Sequence, residues 1–416
     1  MRKFLATICF IFIGSYSALA SGFSIYEASI RANGMLGAFS AYADHVTTIY
    51  YNPAGLSGLE GIQISAGATV IAPRTSFRNL SPLASEGEKF NMKKQEFLAP
   101  NFFGSYQVAD GFTVGVGVYA PFGLGTEWEQ NWVGRGESIE ANIRTLFANP
   151  AIGYELPDFG IGEIKLGAGL QVAFFGEVSL SRAIRQFTPE ASFSLDGELN
   201  EPAFGFNAGI LYSPIEDLTL GFTYRSEVKT EFEGTGSFRD LPGRVLVPVE
   251  GSAEIDLPAS WVAAVNVKPM EGLTVEADYV WWGWSSYDEL RIEFNEPVPV
   301  LGITETVSER NYEDSWQIRV GAEYSELPLE ILTVRAGIAY DKNPIKEEYV
   351  DPTLPDANRW LFSGGVTLTV TDYLDIDASY IFIRAKQRRV EGTESGIDGV
   401  YNTHANLPGL GATLKF

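Results

Sequence analysis

Two histidines, His45 and His404, are the side chains here whose ordinary pKa suits proton transfer near neutral pH. A hydroxyl nucleophile dependent on histidine would need one of them beside it. Neither lies in a Gly-x-Ser-x-Gly or comparable context, and no His/Asp/Glu group has metal-ligand spacing. That argues against an enzyme and implies no cofactor. What remains is charge chemistry: Arg225, Arg319 and Arg335 could each hold a carboxylate, or pair with Glu276, Asp278 or Glu323. The choice depends on the elements that position them.

Those elements show a two-residue period. Ile62, Ile64, Ala66, Ala68 and Val70 oppose Gln63, Ser65, Gly67 and Thr69; Leu218, Leu220, Phe222 and Tyr224 oppose Thr219, Gly221, Thr223 and Arg225. Trp316, Ile318, Val320 and Ala322 oppose Gln317, Arg319 and Glu323. One face is apolar and the other carries charge and glycine, as in a strand between two different solvents. Even the end obeys it, since Leu410, Ala412, Leu414 and Phe416 share one parity.

Fourteen such strands are expected, near 62–72, 99–108, 111–120, 141–154, 163–182, 204–212, 218–232, 258–268, 273–287, 312–324, 330–341, 359–370, 372–388 and 405–416. Short turns follow the even strands and long links the odd ones. Soluble sandwiches also alternate, but their connection lengths have no reason to. The expected fold is an all-β, fourteen-stranded antiparallel outer-membrane β-barrel over residues 62–416. Phe416 would then lie outward at the periplasmic rim.

Residues 1–20 read as a signal peptide: Arg2 and Lys3, an apolar run from Phe4 to Ile13, then Ala18-Leu19-Ala20. Cys9 is the one cysteine, so the mature chain has no disulfide. The formal charge of −23 argues against nucleic acid as a partner. After the signal, no apolar run is long enough for a membrane-spanning helix.

Residues 21–61 break the alternation. Ile25, Ala28, Ala32, Met35, Leu36 and Phe39 recur at three- and four-residue steps, a helical spacing. An apolar segment at the periplasmic side of so wide a barrel would be buried inside it as a small helical hatch. Pro53 fixes a turn and biases Asn52 towards extended backbone.

The ordered set "GF" at 22–23, "AD" at 43–44, Asn52-Pro53-Ala54, "FTYRSEVK" at 222–229, "LPASW" at 257–261, "GIAYDKNPI" at 337–345, "PDANRW" at 355–360 and a final Phe resembles the FadL family of outer-membrane transporters for long-chain fatty acids and aromatic hydrocarbons. The resemblance implies passive uptake of hydrophobic small molecules through a hatch-plugged barrel, with substrate held near Phe23, Ile25, Met35, Leu36, Phe39 and Arg182. Asn52, Pro53 and Ala54 match the hatch motif. In "YAPFGLGTEW", Pro121 and Gly123 match a kink that opens the wall sideways, and Pro121 would remove a ladder bond there. Trp128 and Trp132 would offer an exposed landing surface. Arg182 matches a carboxylate-binding cation only with a one-residue slip, and Glu313 stands where the other would be. Either Arg182 or another wall cation serves, or the cargo is neutral. Phe416 resembles the signal read by the barrel assembly machinery, and outer-membrane lipid and lipopolysaccharide would surround the wall. A general diffusion porin for polar solutes is the alternative, disfavoured by the apolar hatch.

Overall fold

The alternating segments do form a wall. The computed structural model describes residues 22–184, 191–239, 248–298 and 302–416, so the expected signal peptide lies outside the described residues. The fourteen strands are Ile62–Asn79, Phe97–Ala109, Phe112–Tyr119, Glu140–Glu155, Glu163–Ala183, Ala203–Ile215, Leu218–Arg225, Ser260–Met270, Leu273–Trp282, Ser315–Tyr324, Leu332–Asp341, Arg359–Thr371, Leu374–Ala385 and Gly399–Lys415. Each pairs antiparallel with its neighbours. The first closes on the last, from Gln63↔Lys415 to Asn79↔Gly399. Phe416 completes the seam, its N–H donating to the Ile62 carbonyl at 2.8 Å and its carbonyl accepting from Ile62 at 2.9 Å. A closed barrel leaves no edge and satisfies the backbone without water, the condition for crossing a bilayer with strands.

Parity decides what meets lipid. Phe102, Tyr106, Phe206, Ile318, Phe362 and Leu410 are exposed, while Thr69, Asn149, Gln171, Glu276 and Arg319 are buried. An aromatic belt crosses neighbouring strands on the outside: ring centroids lie 6.1 Å apart for Phe222 and Trp261, 6.2 Å for Trp261 and Trp281, and 5.0 Å for Tyr340 and Trp360. Such aromatics suit the membrane–water interface.

The sheet also continues beyond the wall as Ser192–Leu199, Val228–Arg239, Val249–Leu257, Glu289–Phe294 and Glu305–Glu309. Four of these five pieces fall in stretches expected to be loops. Yet "SFSLDGEL" at 192–199 alternates as well as the wall does, so the signal was available. Their inner face is apolar. Their outer face collects the acidity, with Glu177↔Glu198↔Glu233 and Glu293↔Glu305 in direct register.

The N-terminal segment is less helical than its spacing suggests. Helix is confined to Ile30–Asn33 and Thr48–Tyr51, followed by a 3-10 turn at Pro53–Gly58. Ser29 caps the first helix by accepting from Ala32 N–H, and the chain leaves it through Leu36 at φ 56° and Gly37 at φ 73°. This left-handed exit stops propagation after one turn. Burial against the wall, rather than helical hydrogen bonding, holds the segment.

Candidate functional site

Two rows of wall glycines receive the N-terminal segment. Gly153, Gly167 and Gly209 face one another across three strands. A Cβ on Gly167 would stand 2.1 Å from the Pro53 carbonyl carbon, and one on Gly209 2.0 Å from Asn52 Oδ1. The Asn52-Pro53-Ala54 turn therefore lies directly on bare backbone. Asn52, fully buried, donates through Nδ2 to Ser40 O at 2.8 Å and Ile210 O at 3.2 Å, and accepts from Ala54 N–H at 3.2 Å. Opposite, Gly321 pairs with Gly337, and both would clash with Met35 if they carried a Cβ. Met35 is thus wedged against the wall, with Leu36 and Phe39 fully buried beside it.

Buried charges then fasten the segment. Glu276 accepts from the backbone N–H of Ala41 at 3.0 Å and Tyr42 at 2.5 Å, and Asp278 accepts from Ser40 Oγ at 3.2 Å. Arg319 donates to Gly37 O at 3.1 Å and lies 4.5 Å from the Tyr26 ring centroid; Arg225 donates to Tyr50 O at 2.7 Å and Tyr119 Oη at 3.0 Å. Arg335 pairs with Glu323 at 2.5 Å, and Glu323 also meets Arg31 of the segment at 3.2 Å. Carboxylate pairing thus accounts for Arg335, whereas Arg225 and Arg319 hold carbonyls. A charge removed from water survives only with such partners.

At the expected kink the wall is broken. Strands two and three pair as far as Asn101↔Tyr119. Strand three resumes at Gly123–Glu127, paired there to strand four, while on its other side Lys93 N–H donates to Glu127 O at 2.8 Å. Across the break runs the N-terminal segment: Ile25 N–H donates to Pro121 O at 2.7 Å, Gly123 N–H to Phe23 O at 2.8 Å, and Ser24 bridges Phe122. Phe23 and Ile25 are thereby fixed beside the gap.

Phe23 also packs edge-on against Trp284 at 4.7 Å and Tyr287 at 5.6 Å. It borders an apolar cavity of about 60 Å³ lined by Leu124, Ile143, Val178, Leu195 and Ile255, together with Tyr312 and Arg310. Arg310 was not foreseen. It sits in a connection with no alternation to mark it as inward.

Arg182 lies elsewhere, half-buried at a second cavity of about 250 Å³ with Glu137, Phe193, Phe294 and Val298. Glu313 is exposed. Trp128 and Trp132 do not form the exposed surface expected of them. They stack at 4.2 Å with 0% and 1% exposure, donating to Pro352 O at 3.1 Å and Ser138 O at 2.8 Å. Ser138 is local, but Pro352 comes from a distant loop, which local sequence does not reveal. His45 lies buried between the hydroxyls of Thr47 at 2.9 Å and Thr413 at 3.0 Å.

A closed fourteen-strand barrel with an apolar exterior and an N-terminal segment buried against its inner wall is an outer-membrane β-barrel of the transport class. More narrowly, the chain belongs to the outer membrane protein transport protein family (OMPP1/FadL/TodX), which matches residues 11–416. It is 26% identical to a 47 kDa outer membrane protein of Pasteurella multocida, over 100% of this chain and 98% of that protein. It is also 26% identical to a long-chain fatty acid transport protein of Escherichia coli O6:H1, over 88% of each. A FadL homologue from Pseudomonas aeruginosa shares the fold at TM-score 0.81 and 20% identity, over 95% of this chain and all of that one. The Ralstonia pickettii toluene transporter TbuX does so at 0.71 and 16% identity, over 95% and 99%.

Proposed function

We propose that this protein passively takes up hydrophobic molecules from the cell exterior, holds them in the cavity beside Phe23, and releases them sideways through the wall break at Pro121 to Gly123. One observation carries the reading: the backbone that borders the apolar cavity, Phe23 to Ile25, is hydrogen-bonded to Pro121 and Gly123. Cargo that displaces Phe23 must also loosen the closure of the gap. As it stands the cavity has about the volume of two waters, so loading requires that displacement. Apolar cargo has reason to leave sideways, because each Å² returned to water costs about 25 cal/mol.

Residues 21–61 act as a hatch in this reading, with Asn52-Pro53-Ala54 as its seat. No catalytic step is assigned. A porin for polar solutes is disfavoured, since such solutes gain nothing from Ile25, Leu36 and Phe39. Lipopolysaccharide and lipid contact the aromatic belt, and the barrel assembly machinery reads Phe416.

The test replaces Pro121 by Thr and Gly123 by Val, residues that favour continuous strand. The double variant should keep heat-resistant barrel migration on gels and lose hydrophobic uptake by about tenfold or more. A folded variant with normal uptake would remove the lateral route.

A further inference from the structure

Arg310 is the charged group of the Phe23 cavity, and its state bears on what the cavity accepts. Its side chain is 8% exposed. One guanidinium nitrogen, Nη1, is taken by Asp351 and lies 3.4 Å from Thr353 Oγ1. Its backbone N–H is tied to Asp288 O at 2.7 Å, which fixes where the side chain starts. Among the described residues its buried Nε–H has no partner. Asp351 is settled: besides Arg310 it accepts from the N–H of Thr353 at 2.7 Å and from the Thr353 hydroxyl. An apolar cavity thus borders a charge already paired with Asp351 and close to the Tyr287 hydroxyl, with the Nε–H donor still open.

We infer that the cargo anchored here carries an un-ionised oxygen acceptor on an apolar body, as a long-chain alcohol or a phenol does, and that Arg310 Nε receives that oxygen. The inference rests on the cavity proposed above as the cargo site. A carboxylate would place a second negative charge on a guanidinium that Asp351 has already compensated, with Leu124, Val178 and Leu195 unable to solvate it. A pure hydrocarbon would leave the buried donor unmet. An alcohol oxygen satisfies Nε and brings no charge. One hydrogen bond to a charged donor corresponds to about tenfold in affinity.

Competition against a fluorescent apolar probe, with the whole barrel in nanodiscs at pH 8, would compare 1-dodecanol, dodecanoate and dodecane. The expected order puts 1-dodecanol tightest by about tenfold over each of the others. Asp351→Asn keeps the size of the side chain and its oxygen acceptor while removing the competing charge. It should raise dodecanoate affinity about tenfold and leave 1-dodecanol within about twofold. A wild-type barrel that prefers dodecanoate, or an Asp351→Asn barrel with an unchanged ratio, overturns the inference. Leu195→Trp, which fills the cavity, separates the two readings. Competition by all three probes should vanish in it; persistence would remove the cavity as the cargo site and this inference with it, whereas a wrong probe order with the Leu195→Trp loss intact overturns the anchoring role alone.

Discussion

Replacing Gly167 by Ala should unseat the N-terminal segment without opening the barrel wall. The added Cβ would lie 2.1 Å from Pro53 C, 2.2 Å from Ala54 N and 2.4 Å from Pro53 O, all backbone atoms with no rotamer to escape into. Ordinary carbon contacts sit near 3.5–4.0 Å, so the turn must withdraw by about 1.5 Å. Withdrawal breaks Asn52 Nδ2 to Ile210 O, and it stretches the neighbouring bonds from Asn207 Nδ2 to Ile49 O at 3.1 Å and from Arg225 to Tyr50 O at 2.7 Å. Each lost bond is worth about 1 kcal/mol net, and about 1–3 kcal/mol where a buried group stays unmet. The total, about 2–5 kcal/mol, raises the population of unseated segment by about 30-fold at its lower end.

The wall itself should hold, because Gly167 remains paired to Gly153 and Gly209 through unaltered backbone. Hydrogen exchange read by mass spectrometry would show residues 48–56 exchanging at least about tenfold faster, and cells carrying the variant should admit more of a polar antibiotic. Gly104→Ala is the control: its nearest neighbour would be Gln63 O at 4.0 Å, so neither readout should move. A folded Gly167→Ala barrel whose residues 48–56 exchange as slowly as wild type would refute the reasoning, since it would mean that the contact with bare backbone is not what seats the turn.

Three further outcomes are expected. Burial lifts the Glu27 carboxyl from the ordinary 4.5 to about 7. A raised folded pKa means that the seating it contributes is full below about 4.5 and lost as pH climbs through about 7. After correction for intrinsic rates, residues 23–28 should thus exchange faster at pH 8 than at pH 5, and Glu27→Gln should shrink that difference to the part left by Asp356, which burial raises to about 6 and which accepts from Gly22 N–H at 3.3 Å. Trp128→Ala should lower thermal stability by about 3–5 kcal/mol of lost packing, because Trp128 is wholly buried against Trp132; an unchanged melting curve with weaker cargo capture would restore the landing surface. Arg182→Ala should leave competition by 1-dodecanol within about twofold, because Arg182 borders the second cavity rather than the one beside Phe23; a tenfold loss would shift the anchor to Arg182.

The wall was legible because a strand between lipid and lumen writes both solvents into its sequence, and closure only requires that the same period recur. Trp128 and Trp132 were misread for the opposite reason. Their surroundings are Pro352, Phe77 and, through Phe77, Tyr401, positions with no local trace near residue 130. Arg310 was invisible because it lies just past Glu305–Glu309, between strand pieces, where the two-residue period lapses. The glycines lie between these cases. Gly153, Gly167, Gly209, Gly321 and Gly337 were visible as small residues on the lumen-facing parity, and Met35 and Asn52-Pro53-Ala54 as features of the N-terminal segment, but nothing in either pattern alone says that one fits the other. The fit follows from volume. A wall row without side chains inside a barrel must be filled by something that brings its own, and it admits backbone to a distance that no Cβ would allow. These five glycines are thus the imprint of the N-terminal segment upon the wall, and lumen-facing glycines that align in register across neighbouring strands mark where an inner segment packs before any of its own residues has been recognised.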